Sequence, residues 1–253
     1  MRYSRIIWIA SSLMLLLPAS SMAGGARQSD FVEANAKYEA QDYKAASKSY
    51  EDLTHAGQET AAVYYNLGNA YFRLGQKGKA LVSYERALAI SPRDKDIRWN
   101  LEMLRSVLAD RIETPSDNPV FFWGRKAADT FAINEISILL SALLLLFLAF
   151  AGLNFIFPRT KLWTSFFQFL TVAALVACAA LFILKWAEGK DPRVVVLDKE
   201  VYAHYGPSGK ETNAFLLHEG AEGKVLDETP DWFYIVLKNK NSGWIPKSSC
   251  ETV

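Results

Sequence analysis

Two cysteines and three histidines are all the thiols and imidazoles in this 253-residue chain, and their scarcity removes several functions at once. His55, His204 and His218 lie far apart, with no HExxH run and no paired spacing that would hold zinc. No GxSxG elbow presents a serine nucleophile. GQKGKA at Gly75 has the composition of a phosphate loop but not its spacing: Gly78 follows Gly75 too closely, and Ala80 stands where a hydroxyl would hold magnesium. Cys178 falls in an apolar run and Cys250 in a polar tail, so the two are not expected to pair within one chain. The expectation is a protein that is not an enzyme, with no cofactor and no metal.

Charge of one sign is also lacking. Lys and Arg number 28 against 27 Asp and Glu, a formal net charge of +1, so there is no basic stripe and no nucleic-acid partner is expected. What the chain has is apolar residues, 51% of the total, gathered into runs at 6–17, 136–157 and 162–184. The first follows Arg2 and Arg5 and precedes Ser21-Met22-Ala23, small at both positions a signal peptidase reads. It predicts a signal peptide over 1–23, with an uncleaved anchor helix as the alternative; either way the rest is exported.

The mature chain opens on a repeat. Sliding the sequence by 34 places lays Phe31 on Tyr65, Asn35 on Asn69, Tyr38 on Phe72, Ala46 on Ala80 and Tyr50 on Tyr84, which is the tetratricopeptide period. In the second copy Tyr64, Leu67, Gly68, Tyr71, Ala80, Tyr84, Ala87 and Pro92 fill the signature positions. Small Gly68 and Ala80 let two helices cross closely, the tyrosines fill the wedge between them, and Pro92 stops the second helix. A further slide carries Tyr65 to Trp99 and Leu67 to Leu101, but Gly68 becomes Glu102 and the second helix is missing. Residues 24–113 therefore read as an all-α solenoid of two repeats and a capping helix that covers the last apolar edge.

Such solenoids bind along a concave face, here predicted to present Phe31, Asn35, Tyr38, Tyr65, Asn69, Phe72, Arg73, Trp99 and Met103; the alternative is that these aromatics pack the solenoid. A known subclass of these repeats grips a C-terminal carboxylate with two asparagines and three cations. Asn35 and Asn66 fall at the asparagine positions, but Phe31, Asp96 and Asn100 stand where the cations belong.

A linker and interfacial segment, 114–133, carries Phe121, Phe122 and Trp123. The runs at 134–157 and 162–186 each make a helix of about 30 Å or more, joined by a turn at 158–161. Arg159 and Lys161 in that turn place it in the cytoplasm and both soluble modules outside. Trp163 and Trp186 suit an aromatic belt, and Ala173, Ala177 and Ala180 a close helix contact. Neither span carries Asp, Glu, Lys, Arg or His in its core, so an anchor is expected rather than an ion pathway.

Residues 193–253 break into short β-rich runs divided by turn signals. Gly206-Pro207-Ser208 in the first long loop, Trp232 opening a strand and Gly243-Trp244-Ile245 closing resemble the small all-β barrel of the bacterial SH3-like domain. Tyr202, Tyr205 and Trp232 are candidates for an exposed contact patch; Trp232 and Trp244 read equally as barrel core.

The whole order of signal peptide, short solenoid, apolar hairpin and SH3-like tail resembles the BatE family of the bacterial aerotolerance operon. That resemblance implies a scaffold at the periplasmic side of the inner membrane, working with von Willebrand A-domain membrane proteins and a MoxR-type ATPase in envelope stress or oxygen tolerance. The partners expected are thus other membrane or periplasmic proteins. The alternative is an accessory that binds or remodels the cell wall by contacting peptidoglycan through the SH3-like domain.

Overall fold

Short side chains that cap helices divide the N-terminal region. The computed structural model describes residues 23–110, 123–124, 126–127, 130–157, 161–190 and 192–253. The signal peptide through residue 22, most of the linker with Phe121 and Phe122, and Pro158, Arg159 and Thr160 of the turn lie outside the described residues. Five helices come first: α1 (Ala23–Glu39), α2 (Tyr43–His55), α3 (Ala61–Arg73), α4 (Lys77–Ile90) and α5 (Lys95–Ser106). The carboxylate of Asp42 accepts from the Ala45 N–H, the Thr60 hydroxyl from Val63, and Asp94 from Asp96 and Ile97, so α2, α3 and α5 each start on a satisfied cap. Helices α2 and α3 end on Gly57 and Gly75 at φ +78° and +76°. In both, the next residue's N–H reaches back to close the last turn, Gln58 to Leu53 and Gln76 to Tyr71.

Two helical hairpins, α1 with α2 and α3 with α4, stack in register and α5 packs on α4. Tyr50, Leu53, Leu67, Tyr71, Leu81, Tyr84, Ile97, Leu101 and Leu104 form one continuous buried core. At the α3–α4 crossing a Cβ on Gly68 would sit 2.6 Å from the Tyr84 ring; only glycine admits that approach.

Next come α6 (Ile133–Ile156) and α7 (Lys161–Lys190), an antiparallel pair. Both are long and apolar enough to cross a membrane, and their side chains are mostly turned outward. The pair is joined by stacked Phe150 and Phe167, 5.8 Å apart, and by a polar bridge near the turn. There Asn154 donates to Gln168 Oε1 at 2.8 Å and accepts from the Thr164 hydroxyl. Both ends of the Asn154 amide are thereby satisfied, which an apolar environment demands.

The C-terminal strands are β1 (Arg193–Val196), β2 (Glu200–His204), β3 (Asn213–His218), β4 (Glu222–Glu228), β5 (Trp232–Val236), β6 (Ser242–Pro246) and β7 (Cys250–Thr252). They form one antiparallel sheet in the order β3-β2-β6-β5-β4-β1-β7. The sheet is open where a closed barrel was expected, with β3 and β7 at its edges. The physical reason lies at β7. Its chain turns toward α4, where the Arg86 guanidinium donates to the Thr252 carbonyl and pairs with Glu251, both at 2.8 Å. Val194, Val196, Val201, Ala203, Leu217, Ile235 and Ile245 fill the sheet's own core, while Val195, the alternate residue of β1, is buried in the helical core. One strand thus serves two cores, because neighbouring side chains point to opposite faces.

Candidate functional site

Three surfaces come out of this architecture: the row along α1, α3 and α5, the contact between helices and sheet, and the outer face of the sheet.

Along the row the 34-residue period becomes a hydrogen-bonded ladder. Asn35 Oδ1 accepts from the Tyr50 hydroxyl at 2.7 Å and from Asn66 Nδ2 at 3.0 Å. One period on, Asn69 Oδ1 accepts from Tyr84 at 2.7 Å and from Asn100 Nδ2 at 3.0 Å. Each asparagine links its own hairpin to the next first helix, and Asn100 also donates to the Tyr65 hydroxyl. Phe31 and Tyr65 lean on Tyr50 and Tyr84 with ring centres 6.2 and 6.0 Å apart. Burial pushes the Tyr50 phenol up to about 12 and raises Tyr84 likewise, so both remain proton donors to their asparagines at any physiological pH. Of the residues singled out by spacing, Phe31, Asn35, Tyr65 and Asn69 are part-buried struts of this ladder, and Phe72 is part-buried against the same core.

Tyr38 is part-buried against that core as well, whereas Arg73 and Trp99 are exposed. Tyr38 packs edge-on against Tyr43 at 5.2 Å, and Arg73 lies over the same Tyr43 ring at 5.9 Å. The Tyr38 phenol beside Arg73 holds its guanidinium above its ordinary value. Arg73 is exposed, and Trp99 is 68% exposed. With Asn100 committed to Asn69 and Tyr65, and Asp96 exposed, nothing on this row supplies the cation cluster that a carboxylate grip needs.

The second surface is the one spacing did not reveal. The sheet docks against α4 and the end of α5. Arg105 pairs with Glu85 of α4 and with Glu222 of β4 at 3.0 Å, and the side chains of both carboxylates are largely covered, 11% and 16% exposed. Burial alone would lower the Arg105 guanidinium, but Glu85 and Glu222 outweigh it and hold it above its ordinary value. Around this centre the Gly78 N–H donates to Glu219 Oε1 at 2.9 Å. Asp110 accepts from the His218 N–H at 2.8 Å and meets its Nδ1 at 3.0 Å. A Cβ on Gly78 would lie 2.6 Å from the Val196 carbonyl oxygen, so the glycine is what lets α4 touch the sheet. The available signal was a break in the repeat: the 34-residue slide pairs Gly78 with Lys44, Arg86 with Asp52 and Arg105 with Tyr71.

On the sheet's outer face Tyr202, His204, Trp232, Tyr234 and Trp244 share one side, opposite the core residues Val201, Ala203, Ile235 and Ile245. Trp232 meets the His204 ring edge-on at 5.4 Å, and Tyr234 lies on Trp244 at 5.2 Å. Tyr202 is 49% and Tyr205 70% exposed; Tyr205 follows β2 in the loop, and Trp232 is part-buried. Burial pushes the Cys250 thiol up to about 11, which makes it a poor nucleophile at neutral pH. Among the described residues no cluster of three His, Cys, Asp or Glu could hold a metal.

A tetratricopeptide repeat family model matches residues 61–94, the stretch of α3, α4 and the turn into α5. No curated protein matches the chain. The chain therefore carries a tetratricopeptide repeat, which supports a role in protein–protein interaction.

Proposed function

We propose that this chain is a membrane-anchored scaffold that holds protein partners on the periplasmic side of the inner membrane, with α6 and α7 as its anchor. The observation that carries this reading is the way the sheet docks: on α4 and the end of α5, with none of the contacts just described using the row on α1, α3 and α5. The rim of that row, with Tyr38 and Arg73, is left for a partner. Docking also requires residues before the hairpin and residues after it to share a compartment, which supports two crossings rather than one. The resemblance of the domain order to the BatE family favours von Willebrand A-domain membrane proteins and a MoxR-type ATPase as the partners, in envelope stress or oxygen tolerance.

Two measurements test it. A reporter active only in the cytoplasm should work when fused after Lys161 and be silent after Val253; activity at Val253 would refute the anchor topology. Co-purification of the A-domain partners from native membranes should fall with Tyr38→Ala combined with Arg73→Ala, a pair expected to cost about 2 kcal/mol if it forms a hot spot. Undiminished capture by that double variant, with amide exchange in α1 and α3 unchanged, would remove the row from consideration.

A second reading has the outer sheet face in its favour, since Tyr202 and Trp232 offer flat rings to a sugar or wall peptide. It predicts retention of the whole chain on purified wall material, lost in Tyr202→Ala.

A further inference from the structure

Polar side chains within α6 and α7 mostly find partners in their own hairpin. The hydroxyls of Ser137 and Ser141 donate to the carbonyls of Ile133 and Ser137, and that of Thr171 to the carbonyl of Gln168. Thr164 donates to Asn154, and Asn154 to Gln168 Oε1 at 2.8 Å. Gln168 Nε2 is different: among the described residues its two N–H bonds meet no acceptor. Its depth makes that costly. The apolar run of α7 begins at Leu162, and at 1.5 Å per residue Gln168 lies about 9 Å along it, where an amide donor finds hydrocarbon instead of water.

Gln168 stands at the edge of the α6–α7 seam. Thr171 and Cys178 are buried within the seam, whereas Gln168 is part-buried and Ser165, Val172 and Val176 are exposed. These three lie at i−3, i+4 and i+8 from Gln168 and share its flank. They are short, so a second helix can approach closely there.

We propose that α7 pairs along this flank with α7 of a second copy, each Gln168 Nε2 donating to the other's Oε1 across a two-fold axis along the membrane normal. This rests on the membrane anchor of the scaffold reading and adds an assembly to it. The occupant follows from depth and from the amide itself. Every copy inserts in the same sense, so a second copy brings the same amide to the same level of the bilayer, in an isologous contact. A carboxamide is also its own complement: Oε1 accepts from Asn154 and keeps a second lone pair, while Nε2 supplies the donors. A scaffold so paired presents its docking surfaces in duplicate.

The test is Val172→Cys in the full chain, with Cys178→Ala and Cys250→Ala, oxidised in native membranes with copper phenanthroline and mapped by mass spectrometry. The expected product is a disulfide between two copies at position 172. It should be absent when the single cysteine is Ala177→Cys, exposed on the opposite side of α7. Gln168→Leu should lower the yield at 172 about tenfold, the scale of a hydrogen bond between helices in lipid. Asn154→Leu breaks the bond within the hairpin but keeps the Gln168 amide, and should leave the disulfide standing. No disulfide at 172, one to a different protein, or equal yields at 172 and 177 would overturn the pairing. So would a yield indifferent to Gln168→Leu, or an equal loss in Asn154→Leu. The reporter fusions after Lys161 and Val253, made in the same variant, read the anchor separately: their failure removes the anchor and the pairing together, whereas the expected topology without a disulfide removes the pairing alone.

Discussion

Gly68→Leu should accelerate amide exchange throughout α3 and α4 by about 30- to 150-fold, the equivalent of 2 to 3 kcal/mol of overpacking. The magnitude follows from what the side chain meets. A single Cβ already falls 2.6 and 2.7 Å from two carbons of the Tyr84 ring, and Tyr84 is 2% exposed, with its hydroxyl committed to Asn69. The ring cannot retreat without breaking the bond that ties α4 through Asn69 to α5. Leucine recovers about 1 kcal/mol of helix propensity over glycine, which is less than the clash. Hydrogen exchange on the detergent-solubilised chain reads the effect locally, with α6 and α7 as internal reference. Exchange in α3 and α4 indistinguishable from the parent would show that the crossing is looser than this packing requires. Tyr84→Ala in the same chain should relieve part of the clash, so the two changes together cost less than their sum.

The two hairpins were readable because a repeat writes each contact twice in similar letters: Asn35 and Asn69, Asn66 and Asn100, Tyr50 and Tyr84 recur at one spacing. Helices α6 and α7 were readable because their apolar runs exceed what a soluble core of this size needs. What the period could not show is direction. Asn35 and Tyr65 lie on the expected row, yet their side chains are spent on Tyr50, Asn66, Tyr84 and Asn100, and only the helix crossing decides that. Openness of the sheet was equally hidden, since the strand pattern of β1 to β7 is the same whether β7 closes a barrel or turns to α4. The docking surface joins residues more than a hundred positions apart, Arg105 to Glu222 and Gly78 to Glu219. Such pairs leave no periodic trace. Their one mark was that Gly78, Arg86 and Arg105 differ from their counterparts in the neighbouring copy, as residues do when they answer to something outside the repeat.

Arg105→Leu should undock the sheet while leaving both folds intact. The change removes the one cation shared by Glu85 and Glu222 and leaves two largely covered carboxylates facing each other, a loss of about 2 kcal/mol or more; Arg193, 3.7 Å from Glu85, replaces only part of it. The Gly78 amide is the reporter. It lies in the first turn of α4, where no carbonyl within the helix can accept its hydrogen, so its protection depends on Glu219 and hence on docking alone. Its exchange should quicken by about thirtyfold or more, and raised salt should have a smaller effect in the same direction. Amides of β5, central in the sheet and remote from α4, should not change. Arg105→Lys, a point charge without the fork that reaches two carboxylates, should be intermediate. A Gly78 amide as protected in Arg105→Leu as in the parent would mean that apolar contact, Val195 in the helical core and Leu108 over Gly220, holds the modules together without the charges. Quickening in β5 as well would mean that the sheet cannot stand apart from the helices, and that the two modules fold as one.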